Sequence, residues 1–181
     1  MKKYTVSGIC CLALILSAAG IYAQGFTTPR DNTAPQVNSE RALQTAFTRA
    51  PAGGTLIEMD WELKRMGSEW DIKIIHNQMQ YDIKIDGNSG QIISYRERRY
   101  TPRQPLPSPP QNRISFERVR EIAQSIHPQG TIEEIEWEHS YGRWVYEVTV
   151  RVNGRKNTIY LDSVTGSQLQ QTGRGRTRTW I

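Results

Sequence analysis

Seven residues of this 181-residue chain return at one fixed spacing. Ser39, Gly54, Thr55, Trp61, Glu62, Asp86 and Gly90 recur as Ser115, Gly130, Thr131, Trp137, Glu138, Asp162 and Gly166, each 76 positions later. A single offset shared by so many identities marks a duplicated structural unit. Two copies are too few for a solenoid, which stacks at least three. The repeat therefore predicts two equivalent small units side by side.

Each copy reads as one helix followed by strands. In the second copy Ser115 suits an N-cap, and Ile114 with Val119 suits a hydrophobic staple. Val119, Ile122, Ala123 and Ile126 line one helical face, and His127-Pro128 ends it, because a residue before proline is pushed out of helical geometry. The first copy matches with Ser39, Leu43, Ala46, Phe47 and Ala50, stopped at Pro51. The next segments alternate. Ile57, Met59, Trp61 and Leu63 face one way and Glu58, Asp60 and Glu62 the other; Ile135 and Trp137 oppose Glu134, Glu136 and Glu138. That period of two, with one apolar side, predicts half-buried antiparallel strands.

Trp144, Tyr146, Val148, Val150 and Val152 continue the inward side, followed by Asn153-Gly154, a favoured hairpin turn. In the first copy, 70–75 and 81–86 play these parts, joined through Asn77 and Gln78. Setting Trp70 against Trp144 makes this hairpin read as shifted by two residues. Asp86 to Gly90 and Asp162 to Gly166 close each unit: the Asp can accept from turn amides and the Gly can take positive φ. A short last strand follows, 91–95 and 167–169. The expected fold class is α+β: two repeated units, each one helix packed on a small antiparallel β-sheet. A unit of about 60 residues is marginal alone, so two that share a sheet or pack together would be more secure.

The flanks divide the chain further. Residues 1–23 read as a signal peptide, with Lys2 and Lys3, an apolar run from Ile9 to Ala19, and Ala23 before Gln24. The run is short of the roughly 20 residues of a spanning helix, so cleavage is expected and no transmembrane anchor in the mature chain. Cys10 and Cys11 lie at the front of the run, where a lipid-modified Cys would not sit. The expected location is outside the cytoplasm, periplasmic or secreted. Residues 24–36 form a polar leader, 37–96 the first unit, 97–113 a Pro/Arg-rich linker, 114–171 the second unit and 172–181 a basic flexible tail.

Both cysteines fall in the signal segment, so the mature chain has no disulfide or thiol chemistry. Without Lys2 and Lys3 the net charge drops from +5 to +3, too mild to indicate specific nucleic-acid binding. The basic residues are clustered, with Arg96, Arg98, Arg99, Arg103 and Arg113 between the repeats and Arg174, Arg176 and Arg178 in the tail. Solvated linkers explain them, and contact with an anionic surface is the sharper reading.

No catalytic set emerges. His76, His127 and His139 show no metal-ligand spacing, and no nucleophile elbow is present. The acidic ladder of Glu134, Glu136 and Glu138, with its counterpart Glu58, Asp60 and Glu62, makes a calcium site conceivable. Cross-strand balance by Lys73, Lys84 and Arg151 is the simpler reading. No cofactor is expected. Trp61 and Trp137, on apolar strand faces, are expected to be core residues. Asp86, Gly90, Asp162 and Gly166 are structural candidates too.

The helix with its Ser start, the Pro/Gly break, the strand of alternating acids, the aromatic second strand and the closing Asp-x-x-(Ser/Thr)-Gly resemble the PepSY family. The second copy carries the pattern best, in Ile114-Ser115 through Ala123, Gly130-Thr131, 144–148, and Tyr160-Leu161-Asp162 with Thr165-Gly166. The resemblance implies a protein-binding role outside the cytoplasm, associated with inhibiting or regulating peptidases, and no catalytic residues. There is no His-Glu-x-x-His motif and so no attached zinc peptidase. The expectation is a non-enzymatic binding or regulatory module whose protein partner is unknown, a peptidase being the candidate, with an edge strand open to an extended peptide. The alternative is an envelope sensor of ligands or cations that uses the acidic sheet faces.

Overall fold

The computed structural model describes residues 34–102, 105–140, 142–172 and 179–180. The expected signal peptide, most of the leader, and Arg103, Arg174, Arg176 and Arg178 lie outside them. The element order is α1 (Ser39–Phe47), β1 (Thr55–Lys64), β2 (Gly67–His76), β3 (Met79–Asp86), β4 (Ile92–Arg99), α2 (Phe116–Ile126), β5 (Thr131–Ser140), β6 (Arg143–Val152), β7 (Arg155–Asp162) and β8 (Gln168–Leu169). A last pair, β9 (Gln171–Thr172) and β10 (Thr179–Trp180), joins the ends of the segment expected to be loose.

Of the two arrangements the repeat left open, the units share one sheet. Its eight strands run in the order β4-β3-β2-β1-β5-β6-β7-β8, with every pair antiparallel. Each unit on its own would leave β1 or β5 as a bare edge, a row of unsatisfied backbone groups. Pairing β1 with β5 removes both edges at once. The register sets Met59 against Trp137, Asp60 against Glu136, Trp61 against Ile135 and Glu62 against Glu134. Asp60 and Glu136 are equivalents at the 76 offset and face each other, so a local two-fold axis passes between them.

The repeat holds through the strands at 76, and the hairpin is not shifted. Trp61 pairs with Trp70, and Trp137 with Tyr146. The counterpart of Trp70 is therefore Tyr146, not Trp144; the shared indole misled the alignment. Both rings do the same job. Trp70 Nε1 donates to the Val37 carbonyl at 3.0 Å, and Tyr146 Oη donates to the Ile114 carbonyl at 2.5 Å. Val37 N and Ile114 N donate to the Gly87 and Ser163 carbonyls, each at 2.9 Å. Each helix is thereby tied to its second strand and its closing loop just before its N-cap.

The helices obey a different offset. The α1 N-cap is Asn38, whose side chain accepts from Arg41 N, and not Ser39; Ser115 caps α2 by accepting from Arg118 N. Asn38 and Ser115 differ by 77, as do Pro51 and Pro128. One extra residue in the 51–54 turn absorbs the difference, with Gly53 at φ 80°. The recurring Gly54 and Gly130 then approach β2 and β6 so closely that a Cβ would sit 2.6 Å from Ile74 and 2.4 Å from Val150. Ser39, expected as the cap, instead donates from N and Oγ to the Glu117 carboxylate, both at 3.2 Å. That contact carries α1 onto α2.

Both helices contribute to one core. α1 contacts β2 and β3, and α2 contacts β5 and β6. Ala42 and Ala46 of α1 and Phe116, Val119 and Ala123 of α2 are buried with Met59, Trp61, Ile72, Ile83, Ile135, Trp137 and Val148. Phe116 stands edge-on to Trp70 at 5.1 Å and to Tyr146 at 5.2 Å, filling the space above the seam. The strand facing departs from strict alternation at one duplicated point. Register shifts at Leu56/Glu58 and Ile132/Glu134 insert Ile57 and Glu133 as bulge residues. Leu56 takes the core place assigned to Ile57, which is buried outside the main core cluster. A bulge turns a strand by one residue, and periodicity alone cannot show it.

The shared sheet has a thermodynamic consequence. Replacing a buried Trp by Ala typically costs about 3–5 kcal/mol, a large part of the 5–15 kcal/mol that a domain commonly has. Trp61 and Trp137 are both fully buried and sit on the two strands of the seam. Trp137→Ala is expected to lower one common melting transition of both repeats, and Trp61→Ala to do the same. Circular dichroism melting checks this; two resolved transitions in either variant would contradict a shared core.

Candidate binding surfaces

The helix-covered face carries an apolar groove. It encloses about 390 Å³ between α2, the start of α1 and the seam, floored by Trp61, Trp70, Phe116 and Ile135 with Glu117 and Arg120 beside it. Arg120 stacks its guanidinium 4.2 Å from the Trp61 ring. Around the equivalent Trp137 the space is filled, by the stacked Trp144 ring at 4.6 Å and by Arg113 at 4.7 Å. Trp61, Trp70, Trp137 and Trp144 thus form core and groove wall and not an exposed aromatic surface.

The opposite face carries the acids. Glu134, Glu136 and Glu138 project from β5 and Glu58, Asp60 and Glu62 from β1. Strand pairing extends the pattern sideways: Asp71, Asp60, Glu136 and Glu147 lie directly opposite one another across β2, β1, β5 and β6. Asp71 and Glu147 were not singled out in the sequence, because neither belongs to a run of three alternating acids. Like charges directly opposite are destabilising. Three cross-strand balances answer part of this: Lys73 pairs with Glu58, Lys84 with Glu69 at 2.6 Å and Asp71 at 3.0 Å, and Arg151 with Glu133 at 2.5 Å. Arg151 was expected to balance the Glu134–Glu138 ladder and instead holds the bulge residue. Among the described residues no group of three or more acidic, His or Cys side chains is arranged to hold a metal ion.

Burial and the neighbouring carboxylates push the central pair upward. Asp60 rises from 3.8 to about 9, by burial first and then by Glu58 and Glu136. Glu136 rises from 4.5 to about 7, by burial and then by Glu134, Glu147 and Glu138. Asp60 Oδ1 is buried without a hydrogen-bond partner. The pair therefore holds a proton near neutrality, and its steps belong to the pair as a whole.

The closing loops are duplicated bond for bond. Asp86 Oδ1 accepts from Asn88 N, Ser89 N and Ser89 Oγ, and Asp162 Oδ1 from Val164 N, Thr165 N and Thr165 Oγ1. Gly90 and Gly166 follow at φ 75° and 72°. These hydrogen bonds hold the Asp86 carboxyl below its ordinary value, and outweigh burial at Asp162. All four residues shape turns.

The third surface is the edge. At one end β8 has only two residues. At the other, β4 runs eight residues, from Ile92 to Arg99, with all but Ile92 exposed. The sequence predicted a strand ending at Tyr95 and a linker beginning at 97. Arg96, Arg98 and Arg99, read as part of the cluster between the repeats, instead belong to this strand. Ile93 is 54% exposed and Tyr95 40%.

The sign of the pH dependence follows from the central acids. Asp60 and Glu136 bind protons more tightly folded than unfolded, so stability falls as pH rises from about 4 through about 9. Glu58 beside Asp60, and Glu134, Glu147 and Glu138 beside Glu136, add to this upward push, and Lys73 opposes it at Asp60; Glu62, Glu69 and Asp71 are further acids on this face. Asp86, Asp162 and Glu133, whose values are lowered, lose their contribution only below the ordinary carboxylate range. The melting temperature is expected to be higher at about pH 5 than at about pH 9, and Asp60→Asn to flatten that slope. A melting series across this range checks it, and a rise towards alkaline pH would contradict the assignment.

Comparison with known proteins agrees with this architecture. The solved structures include the crystal structure of a "putative lipoprotein (CD1622) from Clostridium difficile 630". It superposes with a TM-score of 0.60 at 13% identity, over 78% of this chain and 94% of that one, and so shares the fold. No curated protein matches the chain. The model of the PepSY family, described as "Peptidase propeptide and YPEB domain", matches twice, over residues 36–96 and 113–172. Those two stretches take in both halves of the sheet and well over half of the chain, and the protein belongs to the PepSY family.

Proposed function

We propose that this protein is an exported, non-enzymatic binding module that regulates a secreted or envelope peptidase. The observation that carries the reading is the open edge: β4 presents eight residues of strand with no paired strand on its outer side among the described residues. An extended segment can add there as a ninth strand, taking its affinity from main-chain hydrogen bonds. The fused sheet supports this role, because a template that is already ordered adds no ordering cost of its own on binding. The family description names peptidase propeptides, which directs the choice of partner. His76, His127 and His139 lie on separate elements, at the end of β2, the end of α2 and within β5, so no nucleophile or metal set is assembled from them. Among the described residues no helix is long and apolar enough to cross a membrane.

A second reading, cation sensing, is favoured by the acidic row through Asp60 and Glu136. It requires the melting temperature to rise with millimolar calcium and Glu136→Gln to abolish the rise.

For the first reading, the exported protein is added to the secreted peptidases of its own organism and casein hydrolysis is followed. A saturable, dose-dependent fall in rate is expected. Unchanged hydrolysis at saturating protein would overturn the peptidase assignment.

A further inference from the structure

The polar face of the first repeat is a charge ladder that steps outward. β1 contributes Glu58, Asp60 and Glu62. β2 answers with Lys73, paired to Glu58, and adds Glu69 and Asp71. β3 answers those with Lys84, at 2.6 and 3.0 Å, and adds Asp82. β4 answers Asp82 with Arg98, whose Nε lies 3.1 Å from Oδ2. In each step the cation reaches back to the strand inside it. The ladder stops at β4 with an excess: Arg96 shares the face of Arg98, lies opposite Asp82 in register, and has no ion-pair partner among the described residues. Arg99 follows on the other face, opposite Met79.

We infer that the β4 edge is built to receive an acidic extended segment of a partner protein, one carrying Asp or Glu at alternate positions. This rests on the reading of β4 as the docking strand and names the chemistry of what docks. Alternate residues of an added strand would fall on the polar face beside Arg96 and Arg98, continuing the ladder by one step. The residues between them would lie on the other face, beside the half-exposed Tyr95 ring, and should be apolar or Thr. A shallow hollow of about 250 Å³ runs over the polar face from β2 to β4, where Lys73, Lys84, Arg96 and Arg98 outnumber Asp71 and Asp82 in its wall. A second copy of this chain is the wrong occupant. Two β4 strands set side by side would bring six arginines against two glutamates, and like charges opposite one another oppose pairing.

The test uses the exported protein and labelled peptides of about eight residues, the length of one strand, with Glu, Gln or Lys at alternate positions and Thr between. Fluorescence anisotropy at low salt is expected to rank them Glu, Gln, Lys, with the gap between Glu and Gln closing as salt is added. Amide shifts on binding should concentrate on 92–99. Arg96 is exposed and has no ion-pair partner among the described residues, so the uncharged Arg96→Gln is expected to fold normally and to narrow the preference for the Glu over the Lys peptide. Equal binding of all three at β4 would overturn the acidic preference and leave the docking strand standing. Absence of binding by any peptide, or shifts confined to the interhelical groove, would overturn both. A dimer in sedimentation whose β4 amides are protected would overturn the choice of occupant.

Discussion

Everything in this protein is arranged around four residue pairs, Met59–Trp137, Asp60–Glu136, Trp61–Ile135 and Glu62–Glu134. They turn two marginal units into one sheet with one core. The apolar pairs lie under the helices, where burial drives the junction. The acidic pairs lie on the other face, where the junction is opposed. The seam exists because the first effect outweighs the second, and protonation of the Asp60–Glu136 pair lightens the second. That cost is confined to one face because strand side chains alternate. No rearrangement of the core could relieve it.

The two-fold relation is kept where the backbone needs it and broken where the core does. Trp70 and Tyr146 are different residues doing one job, each holding the carbonyl that precedes a helix. Asp86 and Asp162 organise identical turns. Phe116 has no twin: its counterpart at the helix offset is Ser39. The Phe116 ring lies between Trp70 and Tyr146, which are themselves equivalents across the axis. Ser39 is left polar and meets Glu117, which ties the start of α1 to α2. A strictly symmetric pair of helices would place two rings, or none, in that space.

Much of this was legible in the sequence, for reasons that also mark where legibility stopped. The 76 offset revealed the duplication because turns and buried Trp positions tolerate few residue types. The helix offset of 77 was hidden, since Ser39 happens to sit 76 before Ser115 and serine is a good cap anywhere. The identity of two Trp residues, Trp70 and Trp144, suggested a shifted hairpin; hydrogen-bond register shows that geometry, not residue type, is what was duplicated. The acidic runs on β1 and β5 were visible as alternation. The row from Asp71 to Glu147 was not, because it runs across strands and exists only once the register is known. The bulges at Ile57 and Glu133 escaped for the same reason.

The largest gap concerned the arginines. Next to a proline-rich stretch, Arg96, Arg98 and Arg99 look like linker, and composition alone favours that. In the sheet they are the outermost strand, and their charge has a different meaning there. An edge strand rich in arginine resists pairing with its own kind and with neutral strands, the usual way an edge is kept from aggregating. The same charges become attractive towards one class of strand, the acidic one, of which this sheet already contains two at its centre. At the centre acid meets acid, but outward from β1 each strand answers its inner neighbour with a cation, Lys73, then Lys84, then Arg98. That outward rule is the one the open edge would apply to a partner. Protection of the edge and selectivity at the edge follow from one set of side chains.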